Sequence, residues 1–363
     1  MEVLKKKYGL FTAICMVVGI VIGSGVFFKA QDVLNATAGD AWLGVLAWIV
    51  GGLIMVVLAA TFAVMATKYE KVNGVVDYAE STCGKTYAFF VGWFLATIYF
   101  PAMTSVLAWV SARYTMVAVF GYTSVSAEAL FSAECITIAA FYLVVIYFIN
   151  SMAPKLAGKL QVSTTVIKLV PIAFIALVGT IIGLFNSTMS DNFAGAVAEG
   201  ASTAGSGWFG ALCCTAFAYE GWIIATSINA EIKDSKRNLP LALGVGSAII
   251  MLVYVLYYIG VLGLSDSETL ISQGTSSAFN FFGTAVATFI NFLIIISCLG
   301  TLNGLMLGCT RCIYSLAARN EGISPEVYNQ IDKKTNMPHN SANFGLLMCI
   351  FWFVYFIGGQ FFG

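Results

Sequence analysis

Two short stretches of this chain set glycines beside polar groups inside long apolar runs, a combination that can hold a small zwitterion within a membrane. The first is Gly19-Ile20-Val21-Ile22-Gly23-Ser24-Gly25-Val26-Phe27. Each glycine costs a helix about 1 kcal/mol relative to alanine, and it also leaves the backbone bare. If the helix unwinds between Gly23 and Gly25, a second half-helix starts there. Its free N–H groups and positive dipole end suit a carboxylate. The carbonyls that end the first half, at Val21 and Ile22, would face an ammonium. The competing reading is that Gly19-x-x-x-Gly23 is a helix-packing motif.

The second stretch is Phe217-Ala218-Tyr219-Glu220-Gly221-Trp222. A carboxylate at mid-span costs roughly 2.5–3.5 kcal/mol on insertion scales unless it is paired or faces a cavity. Gly221 beside it permits a break. Matching interruptions in two halves of a chain point to the binding site of an inverted-repeat transporter. The competing reading makes Glu220 a purely structural hydrogen-bonding group between helices. Lys168, in Thr164-Thr165-Val166-Ile167-Lys168-Leu169-Val170-Pro171, is a third anomaly. It falls about 6 Å from the centre of its run at 1.5 Å per residue. Its stem could snorkel to the interface. Alternatively it is a fixed cation inside the bundle, held by helix-end carbonyls, with Pro171 freeing the carbonyl of Ile167. Tyr99 and Asn303 are weaker candidates for lining a pocket, since interhelical packing or hydrogen bonding explains either equally well.

These residues need spanning elements to position them, and the composition supplies such elements. Of 363 residues, 59% are hydrophobic and 10% charged, and mean hydropathy is +0.88. A soluble domain carries about 25% charged residues, so water is not the main solvent of this surface. Nine runs reach the roughly 20 apolar residues a spanning helix needs. They cover about 9–35, 41–67, 87–112, 132–150, 160–185, 208–231, 240–264, 278–318 and 341–358. Lipid offers the backbone no partners, so each must be helical. The first, sixth and eighth are long enough to be broken, tilted or extended. The N-terminal run is too long for a signal peptide and has no small-residue cleavage site, so it reads as a retained first helix.

Charge placement orients the chain. Fifteen of the 18 basic residues fall in alternate loops or helix ends, among them Lys5, Lys6, Lys7, Lys155, Lys233, Arg311 and Arg319. The intervening loops carry Asp40, Asp191, Glu199, Asp266 and Glu268 and no basic residue. By the positive-inside rule the N-terminus is cytoplasmic. The exceptions are Lys168, Lys29 and Arg113; the last two are expected to snorkel from outer helix ends. A net charge of zero gives no field to gather nucleic acid. The nine cysteines lie mostly in apolar runs and form no framework. Cys309-x-x-Cys312 has no partner pair, so it reads as buried small hydrophobes. His339 reads as a solvated loop residue. No Ser–His pair, metal cluster or paired mid-span aspartates suggest an enzyme, and no cofactor is implied. The sequons at Asn35 and Asn186 would matter only in a secretory-pathway host.

The motifs around Gly19 to Phe27 and Phe217 to Trp222, with the loop Glu231-Ile232-Lys233-Asp234-Ser235-Lys236-Arg237-Asn238-Leu239-Pro240, resemble those of the amino acid–polyamine–organocation superfamily. The resemblance runs from about residue 8 to 358 and is nearest to the L-type amino acid transporter branch and its bacterial exchangers. Ser235 departs from the proline often found there. The resemblance implies an all-α membrane protein of LeuT-like inverted-repeat fold in one transporter domain, with helices 1 and 6 broken. Its first repeat would cover about 8–185. The second, about 205–363, would be incomplete, because relatives continue to a tenth helix and beyond. Helices 1, 2, 6 and 7 would rock against 3, 4, 8 and 9. Ser24 and Gly25 would bind the substrate carboxylate. Carbonyls of Val21, Ile22, Phe217 and Ala218 would take its amine, with Gly23, Tyr219, Glu220 and Gly221 completing the site. Lys168 would stand where sodium-coupled relatives bind sodium, bridging helix 1 near Gly19 and Ile22 to helix 8 near Ser297. The implied activity is sodium-independent exchange of small or medium neutral amino acids across the plasma membrane. Proton symport and a non-transporting amino-acid sensor are the alternatives. The substrate and the lipid bilayer are the implied partners; an accessory subunit or a second copy of the chain is left open.

Overall fold

The computed structural model describes residues 6–23, 25–69, 74–120, 131–195 and 207–362. Among them eight helices are long and apolar enough to cross a membrane. A ninth span is the bent pair Leu10–Val21 and Gly25–Ala36. In chain order the other spans are Ala41–Lys68, Lys85–Val119, Ala133–Met152, Pro154–Phe185, Gly207–Glu231, Ser235–Leu264, Thr284–Ala317 and His339–Gly359. All nine expected runs are found, several with longer ends. Span three begins at Lys85 and continues to Val119 through a π-helical turn at Leu95–Tyr99. Span five starts earlier than its apolar run because Pro154 sits in the first turn, where a missing N–H costs nothing. Pro171 lies inside that span, and a second π-turn, Ile175–Gly179, follows it. The eighth run is one unbroken 34-residue helix.

Local chemistry sets several helix ends. Asp40 caps span two through the Leu43 N–H at 2.9 Å. Asp266 caps the short helix Ser267–Gln273 through the Thr269 N–H at 2.8 Å, and that bond holds its carboxyl below the usual range. The loop around Asp40, Asp191 and Asp266 defines an acidic side of the bundle. The loops carrying Lys155, Lys233 and Arg319 define a basic side. His339 is not merely solvated: its Nε2 lies 2.9 Å from Thr335 Oγ1, within a turn that Asp332 organises.

Packing joins span two to span seven, span three to span eight, and span five to both seven and eight. Spans five and seven touch backbone to backbone. A Cβ on Gly179 would lie 2.2 Å from the Gly260 carbonyl oxygen, and one on Gly263 would lie 2.1 Å from that of Gly179. Small residues let helices approach where hydrophobicity cannot drive association, because lipid tails are as apolar as the helices. Most outward-facing residues are correspondingly large and apolar, such as Phe141, Leu184 and Phe289. Replacing Gly260 by leucine should therefore separate spans five and seven, at about 1–3 kcal/mol or more. The expected result is a lower melting temperature in detergent, with Gly244→Leu, whose Cβ meets nothing within 4 Å, as the neutral control.

Candidate functional site

The first span stops being helical at Val21. Ile22 has ψ near 88°, its N–H still bonds Val18 O at 2.9 Å, and a new helix starts at Gly25 with a 42° change of direction. Ser24 lies outside the described residues. Both readings of Gly19 and Gly23 apply. A Cβ on Gly19 would meet Thr165 Oγ1 of span five at 1.9 Å, and one on Gly23 would meet Thr301 Oγ1 of span eight at 2.7 Å. The glycines therefore seat the break against its neighbours as well as permit it.

The sixth span breaks at the level of the first. Its α-helix ends at Ala218, and Gly221 adopts φ +108°, which any side chain would strain. A 3-10 helix, Trp222–Glu231, continues to the basic side. The two breaks touch. A Cβ on Gly25 would lie 3.1 Å from Ala218 Cα, and one on Gly221 would lie 3.1 Å from Ile20 Cγ2.

Breaking a helix in hydrocarbon strands its last carbonyls. Here buried side chains collect them. Lys168 is fully buried and its Nζ donates to Gly19 O and Ile22 O, each at 2.6 Å, and to Thr301 Oγ1 at 3.3 Å. An ammonium has three donors, and these are three acceptors. The partner on span eight is thus Thr301, one turn from the expected Ser297. Ser297 is buried with no partner for its hydroxyl among the described residues. Tyr254 of span seven, absent from the sequence reading, donates to Val21 O at 2.8 Å or Ala218 O at 3.2 Å. One hydroxyl has one hydrogen, so it serves both break carbonyls in turn or as a shared bond. Its ring stands edge-on to Trp48, with centroids 5.5 Å apart, and close to Tyr219, at 5.1 Å.

A partly open cavity, with about 60 Å³ of room for water-sized groups, lies beside the two breaks. Val21, Gly23 and Gly25 line it from span one, and Phe217, Ala218, Glu220 and Gly221 from span six. Span three adds Met103, Val106, Leu107 and Val110, and span eight adds Thr301 and Leu305. The walls are apolar apart from the backbone, Thr301 and Glu220. No ion pair involves Glu220 among the described residues.

Several expected lining residues lie elsewhere. Tyr219 turns away, and its hydroxyl bonds Trp48 O at 2.8 Å. Asn303 faces spans four and five: it accepts from Asn150 Nδ2 at 2.9 Å and donates to Gln161 Oε1 at 2.9 Å. Tyr99 is packed near Phe100 and does not reach the cavity. Ile22 contributes its carbonyl to Lys168 rather than a surface to the cavity. The Phe217 carbonyl already accepts from the Glu220 N–H at 3.3 Å.

On the basic side a buried charge cluster crosses beneath the cavity. Arg311 of span eight forms an ion pair with Glu231 at the end of span six, and both are buried. Lys7 Nζ joins Glu231 at 3.3 Å. The backbone N–H groups of Lys7 and Tyr8 donate to Glu231 O at 2.7 and 3.0 Å, and Lys233 N–H donates to Tyr8 O at 2.8 Å. Burial holds the Lys7 ammonium below the ordinary lysine range, against the pull of Glu231. Nothing in the spacing of Arg311 and Glu231 announced this pair, beyond their both being charged residues at the ends of apolar runs.

Two helices broken side by side, with a cavity between them and the freed carbonyls held by a lysine and a tyrosine, define a broken-helix membrane transporter. The solved structure of MhsT bound to L-phenylalanine aligns with 99% of this chain and 81% of its own, at TM-score 0.66 and 12% identity. A sodium-coupled sialic acid symporter aligns with 98% and 74%, at TM-score 0.62 and 10% identity. At such identities the likeness concerns the fold, which is the LeuT-like one. The chain belongs to the amino acid permease family, whose model matches residues 8–362.

Among its relatives, the serine/threonine exchanger SteT of Bacillus subtilis is 30% identical over 357 residues, covering 96% of this chain and 76% of that protein. The human cystine/glutamate transporter is 26% identical, covering 92% and 65%. The human large neutral amino acids transporter small subunit 2 is 27% identical, covering 92% and 62%. The chain thus spans less than two thirds of the length of the latter two. Relatives and fold alike are those of transporters, not enzymes.

Tyr254→Phe keeps the ring and removes the hydroxyl, leaving break carbonyls without that donor. The expected cost is about 1–3 kcal/mol, read as a lower melting temperature of purified protein. Tyr219→Phe, which frees only Trp48 O, should cost less.

Proposed function

We propose that this chain exchanges small or medium neutral L-amino acids across the plasma membrane without sodium, by alternating access. The N-terminus and the basic side would face the cytoplasm. The observation that carries the reading is the position of the Lys168 ammonium on Gly19 O, Ile22 O and Thr301 Oγ1. Carbonyl and hydroxyl oxygens are also what a hard monovalent cation requires. A tethered ammonium in that place would supply the charge, and the first span could be braced against span eight without a bound ion.

Substrate binding would use what the breaks leave over. The half-helix beginning near Ser24 and Gly25 offers N–H groups and a positive dipole end to the carboxylate. A carbonyl oxygen has two lone pairs, so Val21 and Ala218 can accept from an amine as well as from Tyr254. The side chain would rest among Met103, Val106, Leu107 and Leu305, an apolar surface suited to neutral residues. Spans one, two, six and seven would rock against three, four, eight and nine, with about 8–185 as the first repeat and about 205–363 as the second, incomplete one. Opening to the cytoplasm would then require the Lys7–Glu231–Arg311 cluster to part.

Glu220 favours a second reading, proton-coupled symport, because it is a carboxyl group in the cavity wall with no ion-pair partner among the described residues. The two readings separate in proteoliposomes. Vesicles preloaded with L-serine should take up labelled L-serine equally when choline replaces sodium, and empty vesicles should take up little. Strict dependence on sodium overturns the proposal. Uptake into empty vesicles driven by an acid-outside gradient, and lost in Glu220→Gln, selects symport. Stabilisation by amino acids without any flux selects a sensor.

A further inference from the structure

A cation within the bilayer is costly, and by default it has a task. Lys168 has one. Lys29 has none in the account above. It stands four residues into the half-helix that begins at Gly25, about 6 Å beyond the break at 1.5 Å per residue, and well short of the helix end at Ala36. Its ammonium turns toward Asp32, one turn nearer the acidic side. Its side chain is only 20% exposed, and its Nζ lies 2.5 Å from Asp32 Oδ2.

Two aromatic rings also flank it. Lys29 Nζ lies 5.1 Å from the ring centroid of Phe28 and 5.2 Å from that of Phe217. Both distances are within the range in which a ring's negative face attracts a cation. The two rings lie 6.0 Å apart at 53°. Phe28 belongs to span one and Phe217 to span six, and both border the cavity. Phe217 is 44% exposed, so burial alone does not fix its ring. The facing wall of span three is apolar and offers nothing to draw the ammonium away.

We propose that Lys29 is a positioning residue: its ammonium, balanced by Asp32, fastens Phe28 to Phe217 so that the half-helices of spans one and six on the acidic side close over the cavity as one lid. This rests on the transport reading above. A lid built from two separate half-helices seals only if they move together. The backbone approach of Gly25 to Ala218 joins them at the break, and the Lys29 clamp joins them a turn further out.

The test combines two measurements on the full chain. The first needs no substrate: melting temperatures of Lys29→Met, Phe217→Leu and the double variant. Partners in contact should be non-additive, so the double variant should lose less than the sum of the two single shifts. The second is L-serine exchange in proteoliposomes, with L-serine affinity taken from thermal titration. Lys29→Met should lower the maximal exchange rate about tenfold while affinity stays within about threefold. Lys29→Arg should restore the rate, because a guanidinium also sits on aromatic faces. Lys29→Gln serves if the methionine variant does not fold. Additive melting shifts overturn the clamp, as does an arginine variant as slow as the methionine one, or a methionine variant at the parent rate. Non-additive melting with no exchange even by the parent chain upholds the clamp and removes the transport reading instead.

Discussion

A helix that stops inside hydrocarbon leaves carbonyl oxygens that neither water nor its own next turn can satisfy. That constraint organises this molecule. Both broken spans end within the bundle, and the oxygens they release are taken up by groups from other spans. Lys168 comes from span five, Tyr254 from span seven, and Thr301, whose hydroxyl can donate to Gly19 O at 3.4 Å, from span eight. Each of these residues is buried, and each is held by packing rather than reach. The breaks are therefore a property of the assembled bundle. A glycine-rich stretch alone would weaken a helix, but it would not dictate where the free groups point.

The same accounting explains why charge occurs at so few depths. Arg311 and Glu231 neutralise one another, with Lys7 as a third member. A buried pair of this kind is weak evidence for stability, since desolvation offsets most of its attraction. What it does well is specify one arrangement, because parting it leaves two charges uncompensated unless water enters. The neighbouring contacts of Tyr8 with Glu231 and Lys233 give the N-terminal segment a part in that arrangement. Among the described residues Lys168 has no carboxylate partner in its site. Its compensation comes from dipoles alone, which lets span one and span eight share a single charge.

Much of this was legible in the sequence, and the limits of legibility are physical. Apolar run lengths and alternating charge set the nine spans, because lipid admits few other solutions. The paired interruptions were legible because glycine and an isolated carboxylate are both costly at mid-span. Depth along a helix was less legible. The register of one helix against another is set by packing, so the oxygen facing Lys168 from the unbroken eighth span is Thr301, one turn from Ser297. Rotation was less legible still. Asn303 and Thr301 are only two residues apart, yet one faces the amides of Asn150 and Gln161 and the other faces the break. Tyr254 and Trp48 carried no signal, because an aromatic residue in a spanning helix is ordinary until its hydroxyl is seen on a stranded carbonyl.

On the proposed reading, the basic-side cluster and the acidic-side rings would mark the two ends of one path through the cavity, and they differ in kind. Below the cavity the closure is ionic and buried. Above it, the rings are partly exposed and gathered around a single cation. An ionic closure opens only if its charges find water or new partners, so its opening is close to all-or-none. An aromatic closure is graded, because ring contacts are individually weak and the rings can separate by small rotations. A carrier that must never open both sides at once benefits from that asymmetry. On that reading the side with the steeper barrier would stay shut by default, and the softer side would respond to what occupies the space between them.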